Sequence, residues 1–156
     1  VDYARRRKIV WAEQLGAGVQ GVVRVVEDNG NFGRFAVKIH AHQAAYLRER
    51  DIYRRLAENG VVTLRGFNVP QLLGWDDACF AIEMTVVSRP FVLDFGGAWL
   101  DHEPEFTSEQ WAYWEAEKLE QFGAERWKEV LKVLALLRSQ GIYMHDVTPT
   151  NIAFRD

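Results

Sequence analysis

A glutamate on the apolar stripe of a helix constrains this chain more than any other single feature. Residues His42 to Asn59 carry the helix formers Ala44, Ala45, Leu47, Arg48, Leu56 and Ala57, and Asn59-Gly60 is a stop signal. Glu49, Tyr53 and Leu56 follow at i, i+4 and i+7, so all three share one face. A carboxylate on a buried face needs a cation, because a lone buried charge is very costly. The cation at hand is Lys38, at the end of the otherwise apolar run Phe35-Ala36-Val37-Lys38-Ile39. A lone lysine there could also snorkel to water from an edge strand. Asp51 is a poorer partner than Glu49, since it points about 200° away at ~100° per residue.

Three strands are predicted ahead of this helix, in Ile9-Val10-Trp11, Val22-Val23-Arg24-Val25-Val26 and the run containing Lys38. Asp28-Asn29-Gly30-Asn31 supplies the second turn. Between the first two strands, Gly16-Ala17-Gly18-Val19-Gln20-Gly21-Val22-Val23 fits G-x-G-x-x-G-x-V. Glycines let backbone N–H groups close over phosphate oxygens. A dinucleotide-binding fold uses a similar motif, but there a helix follows it, whereas β-branched residues follow here. A glycine-rich hairpin without a ligand is the bland alternative. After the helix, Gln71 to Trp75 and Cys79 to Val87 read as a hairpin, giving five strands and one helix.

The second half is predicted to be mainly helical. Thr107-Ser108-Glu109-Gln110 reads as a capping box, followed by a stripe of Trp111, Trp114, Lys118 and Phe122. Such a stripe is core far more often than ligand box. The acidic residues between Asp101 and Glu125 read as a solvated face, with a basic substrate as the alternative. A further helix runs from about Ala124 to Gln140, with Trp127, Val130, Leu131, Leu134 and Leu137 on one stripe. Gly141 ends it, and a loop with Asp146, Pro149 and Asn151 leads to a strand from Ile152. Turns favour Asp and Asn in any case, so this spacing alone is weak.

Composition limits the rest. The 156 residues suit one ordinary domain, or a small one plus part of another, and 48% of them are hydrophobic, enough for a core. A net charge of -3 implies neither nucleic acid nor an anionic membrane. Arg5-Arg6-Arg7-Lys8 reads as a solvated lead-in to a strand. Cys79 is the single cysteine, so internal disulfides and multi-cysteine metal sites are excluded and a reducing cytoplasm is the default. No apolar run approaches the ~20 residues of a membrane span. Val1 is not an initiator Met, and the chain reads as processed, trimmed or partial.

Taken in order, these residues resemble the protein-kinase-like superfamily, from about Ile9 to Phe154. The resemblance implies an α+β fold: a five-stranded antiparallel N-lobe with one helix over residues 1–87, then a hinge exit and a partial, mainly helical C-lobe over 88–156. It implies that Gly16, Gly18, Gly21 and Val23 form the phosphate-covering loop, that Ala36 and Lys38 lie on the lysine strand, and that Glu49 pairs with Lys38. Glu83 and Thr85 correspond to the hinge that takes adenine through backbone groups, with Ile82 lining the pocket. Asp146 corresponds to the catalytic aspartate, and Asn151 to a magnesium ligand. ATP and Mg2+ are the implied cofactors, and a hydroxyl of a protein Ser/Thr or of a small molecule is the implied acceptor.

Departures from the pattern temper what it implies. Met144-His145-Asp146 stands where the family usually has His-Arg-Asp, so grip on a phosphorylated activation loop is not expected. Thr148 replaces the lysine of protein Ser/Thr kinases, which keeps small-molecule kinases and a pseudokinase scaffold open. Asp94-Phe95-Gly96 precedes Asp146, the reverse of family order, and is read as a chance match with a turn at Gly96-Gly97. The sequence stops at Asp156, before the family's metal-binding aspartate is expected.

Overall fold

The runs around Val22–Val26 and Phe35–Ile39 form strands longer than the sequence predicts, whereas the first strand begins only at Trp11 and leaves Ile9 and Val10 outside it. The computed structural model describes residues 2–18, 21–28 and 33–156. Val19 and Gln20 of the glycine motif, and Asn29, Gly30 and Asn31 of the predicted turn, lie outside the described residues. The chain divides into two units, Val1–Gly60 with Pro70–Val87, and Val61–Val69 with Ser88–Asp156. Residues 1–87 are therefore not one block, since 61–69 fold with the second unit.

The first unit is a five-stranded sheet. Its strands are β1 (Trp11–Gly18), β2 (Gly21–Asp28), β3 (Gly33–His40), β6 (Leu72–Asp76) and β7 (Ala81–Thr85), in the order β1-β2-β3-β7-β6 with every neighbour antiparallel. The α+β fold expected for this half is the one found. Strand β3 is central and apolar because both faces are covered. Phe35 and Val37 face a core with Tyr3, Val26, Cys79 and Ala81, while the alternate residues Lys38 and His40 face α2 (Gln43–Glu58).

Arg5 to Lys8 are solvent-exposed as expected, and Arg5, Arg6 and Arg7 are helical. Tyr3–Arg7 form a short helix, α1, capped by the Asp2 side chain. Arg7 pairs with Glu83 on β7 at 2.9 Å and Arg6 with Asp76 on β6 at 3.2 Å. Tyr3 also donates to Glu83, and burial together with that bond pushes its phenol above the ordinary range. Acidic partners on the sheet thus hold Arg6 and Arg7.

The second unit contains β4 (Thr63–Leu64), β5 (Phe67–Asn68), β8 (Phe91–Val92), β9 (Trp99–Leu100), α3 (Ser108–Phe122), α4 (Ala124–Ser139), β10 (Ile142–Tyr143) and β11 (Ile152–Ala153). The predicted capping box closes α3 from both sides. Helix α4 buries Trp127, Val130, Val133 and Leu137, whereas Leu131, assigned to the buried stripe from sequence, is exposed. Two short ladders, β10 with β9 and β11 with β8, hold the ends of the loop between β10 and β11.

The glycines of the β1–β2 hairpin differ in what they permit. Leu15 to Gly18, expected as loop, belong to β1, whose register shifts between Gln14 and Gly16. A Cβ at Gly21, where φ is 152°, would stand 2.2 Å from the Ile39 carbonyl oxygen, whereas one at Gly16 meets nothing within 4 Å. Gly21→Ala is expected to lower stability by about 3 kcal/mol or more in urea unfolding, and Gly16→Ala to change it by less than ~1 kcal/mol. Equal effects at the two positions would contradict this account.

Candidate functional site

The register of the central strands decides which predicted residues share a face. Val23 stands opposite Lys38, and Lys38 opposite Ile82; Ala36 stands opposite Met84. Directly opposed residues point the same way, so Val23, Ala36, Lys38, Ile82 and Met84 line one face, the one covered by α2. Glu83 and Thr85 fall on the other face. The Glu83 carboxylate is taken by Tyr3 and Arg7, its backbone lies in mid-ladder between β3 and β6, and the Thr85 N–H is donated to the Gln71 carbonyl. The side chains at these two positions are thus structural.

Lys38 and Glu49 meet as the helical face requires. The Lys38 Nζ lies 3.1 Å from Glu49 Oε1 and 2.9 Å from Oε2. Glu49 is fully buried and Lys38 is 5% exposed. The strand ends one pair of residues later at His40, whose Nε2 is 2.6 Å from Glu49 Oε2. Sequence reasoning missed His40. Period-two alternation, which puts residues 38 and 40 on one face, was the signal that could have found it.

In the second unit the loop from Met144 to Asn151 is fastened at both ends and in the middle. Thr148 accepts from the Asn151 N–H at 3.0 Å and from the Ile152 N–H at 2.9 Å, a turn for which Pro149 supplies the fixed φ. The Asn151 carbonyl accepts from the Leu93 N–H at 2.9 Å. Its side-chain Nδ2 donates to the Asp146 carbonyl at 3.1 Å, which leaves Oδ1 as a hard oxygen donor with no hydrogen bond among the described residues. Met144 and Val147 are buried and Asp146, between them, is exposed. Among the described residues no group of three or more His, Cys, Asp or Glu side chains could hold a metal ion.

Two further features of this loop went unread in the sequence. The turn at Gly96-Gly97, predicted as such, runs beside Asp146: a Cβ on Gly97 would lie 2.9 Å from the Asp146 Cβ. A glycine there is what lets the two segments approach. His145, in turn, is sandwiched between Phe106 and Trp114, with ring centroids at 4.7 and 5.5 Å, and Trp111 meets it edge-on at 6.0 Å. Trp114 also donates its indole N–H to the His145 carbonyl at 3.1 Å. On this stripe of α3 Trp111 and Trp114 are half-buried while Lys118 and Phe122 are buried, and the two Trp rings clamp the residue preceding Asp146.

Comparisons with known proteins give a partial likeness. Crystal structures of the kinase domain of PknI from Mycobacterium tuberculosis match over 57% of this chain at TM-scores of 0.32 to 0.33 and 21 to 24% identity. The chain spans about two fifths of those domains, 40 to 42% of their length. No protein-family model matches the chain, and no curated protein does.

Burial, with Lys118 next, holds the His145 imidazole below its usual 6.5, against the pull of Asp146 and Glu117. The folded chain therefore takes up this proton less readily than the unfolded chain. Stability from this group is complete above about pH 6.5 and falls as the pH drops below it. Between about pH 7.5 and pH 5, urea midpoints are expected to fall further for the parent than for His145→Phe, which keeps the stack and cannot titrate. An equal fall in both would contradict the assignment.

Proposed function

We propose that this chain is an ATP-dependent phosphotransferase of the protein-kinase-like type, moving the γ-phosphate of Mg-ATP to a hydroxyl acceptor, with protein Ser/Thr as the first acceptor class. The observation that carries the proposal is the buried Lys38–Glu49 pair on a sheet face shared with Val23 and Ala36. An apolar strand has no packing reason to carry an ammonium, whereas an oriented ammonium suits phosphate oxygens.

In this reading the backbone of the Gly16–Gly18–Gly21 hairpin covers the phosphates. Lys38, aimed by Glu49, contacts them. Val23, Ala36 and Ile82 supply an apolar surface for the base, which lies toward the Thr85 end of β7. There Glu83 serves as the anchor for α1. Asp146 accepts the proton of the acceptor hydroxyl, and its exposure lets an acceptor reach it. Asn151 would hold magnesium through Oδ1. The ion, when bound, neutralises charge on the phosphates. Phosphoryl transfer asks mainly for positioning and charge neutralisation, which these groups can supply.

One observation favours other acceptors or a scaffold. Thr148, at the position of the usual lysine, has its hydroxyl 2.7 Å from that of Thr150 and brings no cation to the loop. A small-molecule kinase, or a pseudokinase that binds nucleotide without transfer, follows from that feature. The proposed compartment is the cytoplasm, on the ground that the buried Cys79 has no second cysteine in the chain to form a disulfide with. No helix among the described residues is long and apolar enough to cross a membrane.

Transfer of labelled γ-phosphate to a mixed Ser/Thr peptide pool and to small alcohols tests the proposal. Asp146→Ala is expected to reduce transfer at least about a hundredfold. Transfer undiminished in Asp146→Ala would remove Asp146 from the chemistry, and none from the parent chain, with nucleotide bound, would favour the pseudokinase.

A further inference from the structure

His40 is a buried titratable group that the proposed transfer does not use, and its surroundings specify its charge. It is 4% exposed. Its Nδ1 lies 3.2 Å from the Phe80 carbonyl oxygen, which can only accept, and its Nε2 lies 2.6 Å from Glu49 Oε2. Glu49 is at the same time held by the Lys38 ammonium through both oxygens, at 3.1 and 2.9 Å, so the proton of the 2.6 Å contact belongs on the imidazole. Two acceptors on two ring nitrogens call for two ring protons. Other groups surround the ring. Tyr46 of α2 meets it edge-on at 5.8 Å, with its own hydroxyl donated to Asp77. Asp2 and Cys79 line the groove that reaches His40.

We infer that His40 is a positioning residue for Lys38: as an imidazolium it holds Glu49 independently, so that Lys38 can turn toward an anion without leaving a buried carboxylate unpaired. The physical reason is the cost of separating a buried pair. With one partner, Glu49 would be stranded whenever the ammonium moved to a phosphate. With His40 as second donor the carboxylate keeps a charged hydrogen bond at 2.6 Å through that movement. The site therefore holds an exchangeable cation and a fixed one on a single acceptor. This deepens the proposed function by adding a residue to its phosphate-binding group, and it rests on that reading for the identity of the anion.

Two measurements test it separately. Nitrogen-15 spectra of the histidine rings in the ligand-free chain at neutral pH are expected to show both nitrogens of His40 protonated, with a direct coupling to Glu49. A neutral ring with Nε2 unprotonated overturns the inference whatever the chain binds. Titration of magnesium triphosphate is then compared between the parent chain and His40→Gln, which keeps a neutral donor, with the fold checked by circular dichroism. The variant is expected to bind about tenfold more weakly, the scale of one hydrogen bond to a charged group. Equal affinity in a folded variant overturns the positioning role. Should the parent bind no triphosphate while His40 is doubly protonated, the phosphotransferase reading fails and the positioning role with it, but the charged triad stands.

Discussion

Glu49 has no contact with solvent, and the first unit is arranged so that this can be so. Removing one partner of a buried ion pair typically costs about 3–5 kcal/mol, a large share of a small domain's total stability. Helix α2 must therefore present Glu49 to β3, and β3 must present Lys38 and His40 together, which fixes both the rotation of the helix and the parity of the strand. The same parity sends Phe35 and Val37 to the opposite face, where Tyr3 and the rest of that core wait for them. One electrostatic requirement thus sets which side of the sheet faces α2 and which carries α1.

The second unit solves a different problem, that of holding an exposed carboxylate still. Asp146 stands in a loop whose two ends are pinned by short ladders and whose middle is held by the Thr148–Asn151 turn. Gly97 lets a neighbouring segment run against it, and the rings of α3 clamp His145 beside it. The His145 side chain is packed among aromatic rings, which fixes the loop without an added charge.

Much of this was legible from residue order, because periodicity and pairing rules act locally. The helical spacing of Glu49, Tyr53 and Leu56 foretold the buried carboxylate, and the capping box at Thr107 and Gln110 placed the start of α3. What stayed hidden depends on contacts distant in sequence. The ties between α1 and Glu83 join residues some eighty positions apart, and the nearness of Gly97 to Asp146 depends on which short strands pair. The glycine motif was read as a loop, yet pairing through Gly18 extends the strand, and Gly21 is required by the Ile39 carbonyl as much as by any ligand. His40 was hidden for another reason: period-two alternation puts it on the face of Lys38, but nothing in the sequence ties an imidazole to an ion pair.

The proposed function depends first on Lys38 binding phosphate. Calorimetric titration of ATP, with and without magnesium, into the chain and into folded Lys38→Ala tests this most directly. Binding strengthened by magnesium and weakened about tenfold or more by Lys38→Ala is the expected result. Binding of equal strength in the two chains would contradict it, and would reduce the Lys38–Glu49 pair to a structural ion pair within the sheet.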